Sequence, residues 1–126
     1  MKTDRELLEL AAKAAGLNFV WFNFGGCGER PCIWQLVSPH DTEFKSYFPW
    51  NPLEDDGDAL RLAVRCRIDL DLWMHHGKVE AVVYRSRGNT QLFPEQRGDD
   101  SCAAARRAIV RAAAAIGEAM SDGGQE

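Results

Sequence analysis

Apolar residues near the start of the chain recur at helical spacing. Leu7, Leu10, Ala11 and Ala14 share one face, and Leu8, Ala12 and Ala15 widen it. Thr3 and Glu6 have the spacing of a capping box, in which each side chain satisfies a free amide of the other residue. Gly16 supplies a stop, so the pattern predicts a helix over Asp4 to Ala15. From Leu17 to Phe24 the chain turns aromatic and extended, with Phe19, Val20, Trp21, Phe22 and Phe24. Gly25-Gly26-Cys27-Gly28 interrupts it, and Cys32 to Val37 resumes a strand, giving a hairpin with a long turn.

Ser38 to Asp56 shows neither period clearly. It holds Pro39, Pro49 and Pro52 and the aromatics Phe44, Tyr47, Phe48 and Trp50, which predicts a long connection packed down as a lid. A second helix follows, opened by Glu54, Asp55, Asp56 and Asp58 at its positive end and closing near Arg65. Leu60, Ala63 and Val64 are its expected buried stripe, with Arg61 and Arg65 toward solvent. From Cys66 to Trp73 polar Arg67, Asp69 and Asp71 alternate with Ile68, Leu70 and Leu72, the signature of a half-buried strand. Met74 to Lys78 makes a turn, Val79 to Arg85 returns as a central strand, and Thr90 to Phe93 adds an edge strand ended by Pro94. A long alanine-rich helix closes the pattern. Asp99, Asp100 and Ser101 are its candidate caps, and Ile109, Ala113, Ile116 and Met120 its apolar row, extended by Cys102 and Ala105. Arg106, Arg107 and Arg111 are expected outside.

These elements define an α+β class: an antiparallel sheet of four to five strands with three helices packed on it. One domain over residues 1–120 and a frayed tail over 121–126 account for the whole chain. A chain of 126 residues that is 45% hydrophobic buries enough surface to fold without metal or disulfide. The net charge of −4 argues against broad nucleic-acid binding, which draws on a cationic surface. No apolar run reaches the ~18 residues of a membrane span, and the charged Met1–Glu6 start does not read as a signal peptide. The expected setting is therefore a reducing cytoplasm, with no membrane partner.

Cys66 and Cys102 sit in apolar patterns and read as small core residues. Cys27 and Cys32 form a C-x4-C pair in the Gly-rich turn, but zinc requires two further ligands, and neither His40 nor the His75–His76 pair has finger spacing. Metal and cofactor are accordingly not expected. His75 and His76 fall in a turn where neighbouring side chains diverge, and no phosphate loop is present, so no coherent catalytic set emerges. Arginine outnumbers lysine eleven to four. Arg85, Arg87, Arg106, Arg107 and Arg111 are candidates for a stripe that holds an anion or nucleotide, or else simply form a solvated face.

Three stretches carry a family resemblance. They are Asp4 to Gly16, Trp50-Asn51-Pro52-Leu53-Glu54-Asp55-Asp56-Gly57-Asp58-Ala59-Leu60-Arg61-Leu62-Ala63, and Ala105 to Gly117. Together they span nearly the whole chain in order, and the chain resembles the small phage and prophage proteins of the phage ABA sandwich domain group. The resemblance implies a helix–sheet–helix sandwich encoded in a phage accessory region and transfers no reaction. In that setting the expectation is a non-enzymatic protein that binds a host protein and interferes with it, an anti-defence inhibitor for example. Its expected partner surface combines Phe44, Tyr47, Phe48 and Trp50 with the acids Glu54, Asp55, Asp56 and Asp58; the structural alternative has Trp50 filling a hydrophobic notch and the acids only capping helix two. A homodimer fits the high aromatic content. The alternatives are an anion or nucleotide sponge built on the arginines and a zinc module built on Cys27 and Cys32.

Overall fold

The computed structural model describes residues 1–23, 25–38, 40–72, 77–85 and 88–123. Helix α1 (Asp4–Ala15) forms as its pattern requires. The Glu6 amide donates to the Thr3 hydroxyl at 3.2 Å, and the Thr3 amide donates to the Glu6 carboxylate at 3.2 Å. Those bonds hold the Glu6 carboxyl below its ordinary pKa. Gly16 ends the helix at φ +69°, where its amide reaches the Ala12 and Lys13 carbonyls at no steric cost.

Strands β1 (Phe19–Asn23), β2 (Glu29–Ser38) and β3 (Asp41–Pro49) follow as an antiparallel meander in the order β1-β2-β3. The β1–β2 hairpin was legible in the sequence; β3 was not. The expected lid is a strand, paired to β2 with Ile33 opposite Phe48 and Gln35 opposite Ser46. Phe44, Ser46 and Phe48 do alternate with Lys45 and Tyr47, but Pro49 obscures the period. The proline is tolerated because it closes an edge strand, where a missing N–H breaks no ladder.

Helix α2 (Asp56–Cys66) is capped by Asp55, whose carboxylate accepts from the Asp58 amide at 2.8 Å. It ends on Arg67 at φ +57°, a left-handed position taken here by a non-glycine residue. Arg67 therefore caps a helix and does not open the next strand, and Cys66 is the last helical residue. Strands β4 (Asp69–Asp71), β5 (Lys78–Tyr84) and β6 (Thr90–Gln96) make a second antiparallel sheet with β5 central. Pro94 lies inside β6 and does not end it, again on an edge. Helix α3 (Ser101–Gly123) starts at Asp100, which accepts from the Ala103 amide at 2.9 Å, and continues through residues 121–123 of the expected tail.

Among the described residues the fold is thus α+β with three helices, but the six strands divide into two three-stranded sheets. Separation begins at Trp50, Asn51 and Pro52, which turn the chain out of β3 and into α2. Helix α3 packs on β5 and β6 on one side and on α1 and α2 on the other, so the helices lie on one face of the second sheet. Its buried positions are mostly alanine, including Ala104, Ala108, Ala112, Ala113 and Ala114. Small side chains let α1 approach so closely that a Cβ on Gly117 would stand 2.0 Å from the Leu10 carbonyl oxygen. Cys102 is exposed at the start of this helix and Met120 is exposed near its end, so the apolar row is shorter than its spacing suggests. Among the described residues no helix is long and apolar enough to cross a membrane.

The first sheet joins this body mainly through aromatic side chains. Phe19 meets Trp21 and Trp50 edge-on at 5.3 and 5.7 Å between ring centroids. The Trp21 indole donates to Glu9 of α1 at 2.9 Å, and Arg5 lies over its ring at 4.1 Å. Among the described residues the strands of this sheet pack only sparsely on the helices, β1 on α1 being the main contact.

Candidate partner-binding face

The residues expected to form a partner surface separate into three groups. Trp50 is only 4% exposed and belongs to the core, where it anchors the link between β3 and α2. The acids hold that link in shape. Asp55 caps α2, Asp58 accepts from the Asn51 amide at 3.0 Å and from Arg61 at 2.7 Å, and Asp56 pairs with Arg106 at 2.6 Å. Glu54 is exposed. Phe44 and Phe48, in contrast, are 62% and 44% exposed on one face of β3. Tyr47 points to the other face and stacks on Phe22, ring centroids 4.5 Å apart.

Strand β3 is an edge. The Trp50 amide bonds the Pro31 carbonyl at 3.0 Å, which fixes the ladder's parity. By alternation, Phe48 and Ser46 direct their backbone groups to β2, and Lys45 and Tyr47 direct theirs outward. The result is an unpaired strand edge with exposed aromatics alongside it. Between this sheet and α2 runs an open groove of about 730 Å³, lined by Ile33, Gln35, Phe48, Leu60, Arg61 and Val64 among others.

Leu60 and Val64 were expected in the core, and the structure places them at 64% and 70% exposure. Ala63 is buried as expected, and Ala59 and Leu62 are buried in place of the other two. The sequence held a signal for this. Five of the six residues from Ala59 to Val64 are apolar, more than one buried stripe of a helix can absorb.

The arginine candidates are engaged within the fold. Arg106 also donates to the Leu53 carbonyl at 2.9 Å, Arg107 pairs with Asp4 at 3.1 Å, Arg111 pairs with Glu95 at 2.5 Å, and Arg85 bonds the Gln91 side chain at 2.8 Å. Arg107 and Arg111 do border a second groove of about 660 Å³, but Glu95 and Glu118 border it too. Arg87, like His75 and His76, lies outside the described residues.

Cys32 is fully buried on β2, and burial pushes its thiol pKa up, against a smaller opposing pull from Arg30. Cys27 is exposed in the hairpin turn. Cys66 is half-buried, with its thiol likewise raised by burial, against a smaller pull from Arg65. All four cysteines are free thiols. Among the described residues no three His, Cys, Asp or Glu side chains converge as a metal-ligand set. No family model matches the chain, and neither a curated protein nor a solved structure is significantly similar to it.

Proposed function

We propose that this chain is a non-catalytic binding protein that recognises a partner protein along the β3 edge. The observation that carries the reading is the open edge itself, with outward main-chain groups at Lys45 and Tyr47 and exposed Phe44 and Phe48 beside them. A strand from a partner added there would gain main-chain hydrogen bonds from the edge and apolar contacts from the aromatics. The resemblance to phage accessory proteins supplies the setting: a host protein in the host-cell cytoplasm, such as a defence nuclease or its regulator.

Lys45→Pro tests this. It removes an outward N–H and leaves the β2 ladder intact, since Lys45 does not bond to β2 through its amide. A partner captured from host lysate by the wild-type chain is expected to bind Lys45→Pro and Phe44→Ala each at least about tenfold more weakly. Unchanged binding by both variants rejects the β3 edge as the recognition surface. Failure of the wild-type chain to capture any specific partner rejects the binding role itself.

A further inference from the structure

Helix α2 turns one ridge away from its buried face and toward the open groove beside the first sheet. Residues advance by 100° each around an α-helix, so Gly57, Leu60 and Val64 fall opposite Ala59, Leu62 and Ala63. A ridge meant only for water would carry polar side chains. This one carries two large apolar residues one turn apart, while the Arg61 guanidinium and the Asp55 carboxylate lie beside Gly57.

Charge is ordered along the same helix. Glu54, Asp55, Asp56 and Asp58 stand at its N-terminal end, and Arg61, Arg65 and Arg67 follow toward its C-terminal end. We propose that a second copy of this chain packs its own α2 antiparallel on this ridge, in a two-fold dimer where Leu60 of each copy meets Val64 of the other.

The charge order selects that arrangement. A two-fold axis between Leu60 and Val64 brings each flank of the helix against its own counterpart. On one flank Asp56 then faces Arg67 of the second copy. On the other, Arg65 and Asp58 turn inward, Arg65 to the Ala15 carbonyl and Asp58 to Asn51 and Arg61, so that flank sets no like charges against each other. Asp56 is 72% exposed even while paired with Arg106, which leaves its carboxylate open to a second cation. Arg61 meets its own kind, and its charge is already balanced by Asp58 at 2.7 Å and Asp55 at 3.9 Å. The antiparallel order also opposes the two helix dipoles favourably, whereas a parallel pair would align like ends. The interface uses α2 and leaves the outward backbone groups of β3 free, although Phe48 borders the same groove as Leu60 and Val64.

Sedimentation equilibrium of the full chain tests the dimer. The expected mass is twice the 14.1 kDa chain at high concentration, falling toward one chain on dilution. Val64→Arg is expected to weaken association at least about a hundredfold, because two new guanidinium groups per dimer would be desolvated. Leu60→Gln acts in the same direction. Both positions are exposed, so circular dichroism and melting of either variant should match the wild type. Arg67→Glu, which sets two acids face to face, is expected to weaken the dimer about tenfold. A single-chain mass up to about 1 mM overturns the proposal. So does a dimer unmoved by Val64→Arg, as one zipped along β3 would be, or one tightened by Arg67→Glu. Lys45→Pro should leave the dimer unchanged, so loss of the partner and loss of the dimer are read separately.

Discussion

Cys32 shows how much a single residue's surroundings decide. It and Cys27 are five positions apart and identical in chemistry, yet one is sealed on β2 and the other stands in solvent. The thiolate is the reactive form, and burial both blocks access to Cys32 and raises its pKa. Brief treatment of the native chain with a thiol reagent at neutral pH should therefore label Cys27 and Cys102, label Cys66 more slowly, and spare Cys32 until the chain unfolds. Peptide mass spectrometry checks the order, and early labelling of Cys32 would refute this account. Trp50 carries the same lesson. An exposed anchor and a core residue look alike in sequence, and only the contact with Phe19 and the bond from its own amide to Pro31 show it to be core.

At the scale of elements, capping chemistry was the most readable signal. Thr3, Glu6, Gly16 and Asp55 act within one helical turn of their own position, so no distant residue had to be known. Strand β3 and the rotation of α2 were not readable in this way. An aromatic segment closed by proline is equally a lid or an edge strand until β2 lies beside it. A helix apolar on two sides buries whichever side the rest of the molecule meets. The contact of α1 with α3 gives a sharp prediction. Gly117→Ala forces a methyl group onto the Leu10 backbone, and backbone yields less readily than a side chain. Overpacking of that kind should destabilise the fold by about 3 kcal/mol or more, measured by urea denaturation. A loss below about 1 kcal/mol would mean that the two helices are not so closely packed.

Across the whole molecule, the division into two sheets sets where stability resides. Strand β5 is central in its sheet and covered by α3, with Val79 and Ala81 buried. Strand β3 is an edge without a helix packed on it. Amides of β3 that bond to β2, such as that of Phe48, should exchange hydrogen well before those of Val79 and Ala81. Equal protection would show the first sheet to be as firmly held as the second. A less protected sheet with an open edge also suits recognition, since such surfaces are drawn from the parts of a fold that open most easily.

The sequence alone determined the α+β class, the three helices, both caps of the first and the first hairpin, because each rests on interactions between residues near one another in the chain. Tertiary structure alone decided that six strands form two sheets, that Trp50 is buried, that the arginines of α3 are paired, and that Leu60 and Val64 face water. Those outcomes are a competition for a limited core: the chain offers more apolar surface than the core can cover, and only the packed arrangement of distant elements selects which part stays outside.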